Sequence, residues 1–558
     1  MASGCTTNSS PIGGGEPRSG GGGLAAPEAL PNTRPLSRLR RRAPPAGEQL
    51  RWIAAALSGV VLVLTGSAAH AAPASNEART ARYFEQIKTQ PVPLALFLRA
   101  MPKGGDLHNH LAGAVYAESM IAWAARDGRC VNLTSHVIST APCAAGSEPV
   151  AEAIRSGSAY HDIVDALSMR DFVAHASESG HDHFFATFDK MGVAADGRDA
   201  ESIAEAANRA AADHLSYLEL MWSPGMIEAA IGAAASPWSD DFDAQYAANA
   251  PKLAPIIAKV RAHIDETEAK ARALMGCDTP SPQPGCAVTI RYIAQVIRTF
   301  PPQMVFAQSQ FGFALVSAEP RFVGVNLVAP EDDPITLRDY DKQMRLLGWL
   351  GKRSPAVPLT LHAGEVTMGL VPTADLRFHI REAVEVAGAR RIGHGVDVKY
   401  ETDAAGLLRE MAAKKVMVEI NLTSNDVILG VAGADHPFQT YRAAGVPLAL
   451  STDDEGVSRI DLTHEFERAV RTYPLSYADL KTLVRNSLDY SFAGGDSLWA
   501  SNAPYRVASA CAGVRLGEAG PPSRCKALLD HSERARLEWA LEGQFAVFEA
   551  TDWAGSRR

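Results

Sequence analysis

His108-Asn109-His110 places two imidazoles at positions i and i+2. On an extended strand those positions point to the same side, so the pair can grip one metal ion. A lone His-x-His carries little weight. Three further clusters sharpen it: His362-Ala363-Gly364-Glu365, Gly393-His394-Gly395 and Asp453-Asp454, each at the end of a short apolar run. His108, His110, His362 and Asp453 together offer three nitrogens and an oxygen, a donor set that suits a borderline metal such as zinc. Glu365 and His394 are then left over as acid–base groups beside the metal. The bland alternative, for each residue taken alone, is a structural polar group at the end of a strand.

Convergence of these residues depends on the elements that carry them. Eight runs read as strands: 106–111, 217–222, 288–296, 322–328, 359–363, 391–396, 416–422 and 447–452. Most are continuously apolar, and most neighbours are separated by enough chain for a helix. Strands buried on both faces and alternating with helices imply a parallel sheet; eight such units imply a (β/α)8 barrel. In that α/β fold the strand ends converge on one rim, where active sites sit. Ahead of the barrel, 77–100 reads as helix. Two stretches, near 128–160 and 273–286, read as loop-like insertions. The chain divides into a lead (1–71), an N-terminal helical segment (72–100), the barrel (101–500) and a tail (501–558) that closes with a helical pattern around 532–550.

The lead is not fold. Residues 11–23 are mostly Gly, Pro and Ser; Arg38, Arg40, Arg41 and Arg42 follow, then an apolar run over 52–64 and Ala69-His70-Ala71. Basic region, short apolar region and small-residue site together read as a secretory signal peptide, with an uncleaved anchor as the alternative. The whole chain has 558 residues, 46% hydrophobic and 21% charged, with a net charge of −9. Those values exclude wholesale disorder and argue against a dedicated nucleic-acid binder. Residues 1–71 hold seven Arg and three Glu; without them 47 basic and 60 acidic residues remain, net −13. Cys5 leaves with the lead. The other six cysteines fall as neighbours, Cys130 with Cys143, Cys277 with Cys286 and Cys511 with Cys525. Behind an export signal, that arrangement points to three short-loop disulfides, although six cysteines allow 15 pairings.

Met101-Pro102-Lys103-Gly104 followed by Leu107-His108-Asn109-His110 resembles the opening of the adenosine deaminase family, and especially its secreted branch, the adenosine deaminase-related growth factors. Matching elements follow in order: Phe184-Phe185-Ala186-Thr187-Phe188-Asp189, Tyr217-Leu218-Glu219-Leu220, His362-Ala363-Gly364-Glu365, Arg391-Ile392-Gly393-His394-Gly395, Thr423-Ser424-Asn425 and Ser451-Thr452-Asp453-Asp454. The resemblance implies an amidohydrolase-type barrel with one zinc per chain, held by His108, His110, His362 and Asp453. Glu365 would protonate the purine N1. His394 would orient or deprotonate the metal-bound water, and Asp454 would pair with the ring on its N7 side. Gly364 and Ala329 would contact the substrate, and Phe184 and Phe188 would wall it.

The implied activity is hydrolytic deamination of adenosine or deoxyadenosine to inosine or deoxyinosine plus ammonia, in the periplasm or secreted. The alternatives are deamination of adenine, a modified adenosine or AMP, and a non-catalytic signalling or binding protein on the same barrel. The implied partners are a purine nucleoside and a second copy in a homodimer, with no nucleic acid and no membrane anchor after signal cleavage.

Departures from the family pattern matter. Ala112 stands where many members have an Asp that contacts the ribose. Asn326-Leu327-Val328-Ala329 replaces Asp-Leu-x-Gly, so Ala329 keeps an amide for purine N3 but adds a methyl group. The fourth strand ends without a Lys, so a carbamylated two-metal site is unsupported. The H-x-E and P-C-x-x-C elements of the other zinc deaminases are absent. A second His-x-His, His181 and His183, falls at a helix start, where the two rings should diverge. His436, before Pro437, reads as a loop residue.

Overall fold

The computed structural model describes residues 75–553 and residue 555; the lead, with its expected signal segment and Cys5, lies outside the described residues. Eight strands carry the fold: β1 (Gly104–His110), β2 (Leu215–Trp222), β3 (Thr289–Ile297), β4 (Phe322–Val328), β5 (Thr360–Ala363), β6 (Arg391–His394), β7 (Met417–Ile420) and β8 (Leu448–Leu450). β1 to β4 pair in parallel in chain order, and so do β5 to β8. Two parallel bridges join the halves: Val325 pairs with Leu359 just before β5, and Asn109 of β1 pairs with Asp453 just after β8. The result is a (β/α)8 barrel of α/β class, as the eight apolar runs predict.

The strands are apolar because both of their faces are covered. Leu220, Ile293, Leu327, Ile392, Val418 and Ile420 are fully buried. Each such side chain contributes about 1.5–3 kcal/mol on leaving water. Helices such as Pro302–Ala318, Pro334–Arg353 and Tyr477–Asp489 pack around the outside.

Where one helix is expected over 77–100, the structure has two, Asn76–Ile87 and Pro91–Ala100. Pro91 has no N–H to continue the first helix but suits the start of a second. Both pack on the C-terminal helix Glu533–Ala550, where the rings of Phe97 and Phe548 lie 5.0 Å apart.

The stretch 128–160 is not a loop. It forms a three-stranded antiparallel sheet, Ile138–Ser139 beside Cys130–Asn132 beside Ser147–Pro149, which runs into helices Val150–Ala153 and Gly157–Ala166. Val131 and Ile138 bury against Ile163 and Val164, so a small satellite core holds it. Its strands are too short to show alternation in the sequence. Disulfides join Cys130 to Cys143, Cys277 to Cys286 and Cys511 to Cys525. Among the described residues, no helix is long and apolar enough to cross a membrane.

Candidate active site

β1 ends by delivering His108 and His110 to the rim, β5 delivers His362, and the turn after β8 delivers Asp453. His362 Nε2 lies 3.1 Å from His108 Nε2 and 3.2 Å from His110 Nε2. Asp453 Oδ1 lies 3.3 and 3.2 Å from the same two nitrogens. All four ligand atoms fall within 4.8 Å of one another.

Their orientation is set from behind. His108 Nδ1 is 2.7 Å from Glu419 Oε2, His110 Nδ1 2.8 Å from Gln295 Oε1, and His362 Nδ1 3.1 Å from Asn326 Oδ1. The Asn326 oxygen also accepts the backbone N–H of His362, which fixes which amide atom faces the ring. Each Nδ1 therefore donates, and each Nε2 turns a lone pair toward one common point. Three lone pairs and a carboxylate oxygen at about 3 Å repel unless a cation lies between them, and outer acceptors on ligating imidazoles are the usual companion of a metal. The residues fit one zinc ion. His362 is pushed well below the usual histidine range, by burial and then by the neighbouring imidazoles, which keeps it a neutral ligand.

The backbone here is strained. Asp453 has φ 61° and His394 φ 69°, left-handed values that a non-glycine residue adopts at a cost of about 1–3 kcal/mol. Asp453 is held by its N–H to the His108 carbonyl at 2.8 Å and by the His110 N–H to its own carbonyl at 3.0 Å. Gly393 is required by the ring behind it: a Cβ there would sit 2.6 Å from His108 Cε1.

A second cluster overlaps the first: His362, Glu365 and His394 also bring their polar atoms together. Burial, then the charges of Asp453 and Glu331, push Glu365 well above the usual carboxyl range. Burial, with Asp453 beside it, likewise raises Asp454 to about 7, against the pull of His110. Asp454 Oδ1 and His394 Nε2 are buried and have no hydrogen-bond partner among the described residues.

A cavity of about 480 Å³ opens on this cluster. Phe184 and Phe188, from the helix Gly180–Ala195, stand 5.6 Å apart in its wall, with Ala329 also lining it. Gly364 does not line it; its amide is taken by Glu331 Oε1 at 2.9 Å. His394 is buried and is not among the lining residues. The lining contains no Lys or Arg. At the mouth, Ala112 and Asp189 are exposed, whereas Glu365 and Asp454 are buried.

Several site residues escape sequence reasoning. Glu331 accepts the amides of Gly364 and Glu365 and the Nδ1–H of His379, at 2.9, 2.8 and 2.6 Å. Burial pushes its carboxyl up, but the His379 bond and charge, with Arg298 and the Gly364 amide, outweigh that and hold it at about 2. Its one signal is a place in the loop just after β4. Glu419 sits inside β7 and shows no catalytic spacing at all. His181 and His183 diverge: His181 Nε2 meets Asp332 at 3.1 Å, and His183 Nδ1 meets Glu178 at 2.9 Å.

Residues 161–498 match the family model described as "Adenosine deaminase". An adenosine deaminase of Clostridium perfringens (strain 13) is 34% identical over 157 residues, 28% of this chain and 42% of that protein. One of Enterococcus faecalis is 38% identical over 142 residues, 25% of this chain and 39% of that protein. The matched region thus spans under half the length of either relative. Among solved structures, an Arabidopsis N6-mAMP deaminase is 20% identical, with a TM-score of 0.47, over 72% of this chain and 96% of that one. The family match covers more than half of the chain, and the chain belongs to the adenosine deaminase family.

Proposed function

We propose that this protein hydrolyses adenosine or deoxyadenosine to inosine or deoxyinosine and ammonia, with one zinc ion held by His108, His110, His362 and Asp453. The observation that carries the reading is a juxtaposition. A buried carboxyl pushed well above the usual carboxyl range, Glu365, faces the same aromatic-walled cavity as the three-His, one-Asp donor set.

Zinc bound there would supply a nucleophile near neutral pH by lowering the pKa of water from 15.7 to about 7. The chain's own groups do the rest. Phe184 and Phe188 wall the purine. Glu365 hands its proton to N1 as C6 is attacked, relieving the charge that builds on the ring. Asp454, titrating near 7, shares a proton with the ring on its N7 side. The Ala329 amide faces N3. C6 gains the oxygen of one water and loses its amine as ammonia.

The mouth favours an uncharged nucleoside over a nucleotide. A 5′-phosphate would meet Asp189 and no Lys or Arg among the lining residues. Six cysteines in three disulfides, together with the signal-like lead, support export from the cytoplasm.

The test is incubation of the zinc-loaded protein with adenosine, deoxyadenosine, adenine and AMP. Conversion of adenosine well ahead of AMP is expected. No turnover of any aminopurine would overturn the reading.

A further inference from the structure

His436 is buried in the loop before the helix Phe438–Ala444, yet it belongs to neither the donor set nor the cavity wall. Its contacts form a line of donors and acceptors that leads to His394. The line begins at a group with no choice of role. The backbone N–H of Phe438 can only donate, and it reaches His436 Nδ1 at 3.1 Å. Burial, then the charge of Arg468, lowers His436 to about 4, so the ring is neutral near pH 7. A neutral imidazole that accepts at Nδ1 carries its proton on Nε2.

That Nε2 lies 3.0 Å from Asn425 Oδ1. Asn425, fully buried in the helix Leu422–Leu429, therefore has its oxygen taken by a donor, and its Nδ2 faces His394 Nδ1 at 2.9 Å. The Asn421 amide nitrogen approaches the same ring atom at 3.4 Å. Glu365 Oε1 is 3.5 Å away. Asn425, whose amide orientation is fixed by His436, thus treats His394 Nδ1 as an acceptor. The proton of the neutral ring is left on Nε2, which is buried, has no hydrogen-bond partner among the described residues and lies 3.8 Å from Asp453 Oδ2.

We propose that His436 and Asn425 are positioning residues that fix the tautomer of His394, so that His394 meets the attacking water as an Nε2–H donor that orients it rather than as a base. The deaminase reading enters only in the identity of what that N–H meets. A donor on Nε2 engages one lone pair of the attacking oxygen and holds that oxygen on the side facing C6.

The assignment is tested by long-range 15N–1H correlation spectra of the zinc-loaded protein labelled with 15N-histidine, the His394 signals being identified by their loss in His394→Gln. Expected is a protonated Nε2 with an unprotonated Nδ1. Asn425→Asp replaces the donor by an acceptor and should move the proton to Nδ1. In that variant kcat should fall by about 10²–10³-fold, the weight of one positioned hydrogen-bond donor, with KM and zinc content little changed. His436→Ala should loosen the tautomer and lower kcat. His436→Gln, which can accept from Phe438 and donate to Asn425, should restore most of it. Wild-type protein with the proton on Nδ1, or Asn425→Asp with the proton still on Nε2, would overturn the proposal. If Asn425→Asp does not fold, the His436 pair decides: equal kcat in Ala and Gln overturns it. The spectra need no turnover. A protein that deaminates nothing but shows the Nε2–H tautomer would sink the deaminase reading and leave this assignment standing.

Discussion

His108 donates its Nδ1–H to Glu419 across 2.7 Å, joining residues 311 positions apart. Glu419 in turn accepts from Thr360 Oγ1 at 2.7 Å and pairs with Arg391 at 2.6 Å. Burial pushes the Glu419 carboxyl up, but the Arg391 charge and the His108 bond outweigh it and keep the group ionised. A fixed anion behind His108 holds the ring in the tautomer that turns Nε2 toward His110, His362 and Asp453. Glu419→Gln should therefore weaken zinc binding by about 10–100-fold, measured by competition with a chromogenic chelator. Unchanged affinity would detach Glu419 from the metal site.

Glu331 couples the site to pH. Its folded pKa of about 2 lies below the roughly 4.3 of an unfolded glutamate, so the ionised group stabilises the fold fully above about pH 4.3. That contribution is lost as pH falls from there through about 2. Thermal melts of wild type and Glu331→Gln between pH 6 and pH 2 should show the variant less stable at pH 6 and the gap closing toward pH 2. A constant gap would mean that Glu331 acts by packing alone.

The Asp189 side chain makes no hydrogen bond or ion pair among the described residues and shares the cavity mouth with Ala112. If it takes a sugar hydroxyl, Asp189→Ala should raise KM for adenosine about tenfold, the weight of one charge-assisted hydrogen bond, and leave adenine unchanged. An equal effect on both substrates would place Asp189 elsewhere than at the sugar.

The three disulfides close loops with sequence separations of 13, 9 and 14. In the loop-closure picture each contributes about 2.5–3 kcal/mol. Peptide mapping without reduction should recover the three local pairs, and reductant should lower the melting temperature. Recovery of long-range pairs would contradict the local connectivity.

Much of this was legible because of where the residues lie. Strands buried on both faces appear as unbroken apolar runs, and the candidate metal-binding residues stand at their ends. The boundaries were harder. The run 391–396 stops pairing at His394 because Gly395 turns to φ 59°, and 416–422 stops at Ile420 because a helix begins at Leu422. Glu419 and Glu331 were not legible: one is a lone acid inside an apolar strand, the other lies in a loop acidic run, and only tertiary contacts give them roles. His436 was visible but mute, since its meaning lies in Asn425 and His394. The short sheet at 130–149 has no period long enough to detect, and the break at Pro91 was written in the sequence but passed over by the helical periodicity.

The central claim is a zinc-supported attack on C6 with Glu365 as the proton donor. It is tested most directly by measuring inosine and ammonia released from adenosine by zinc-loaded wild type and by Glu365→Gln, with the zinc content of each determined alongside. Equimolar inosine and ammonia are expected from the wild type, and from the variant one zinc per chain with most activity lost. A fully zinc-loaded wild type that releases no ammonia from adenosine, or a Glu365→Gln variant that releases it at the wild-type rate, would contradict it.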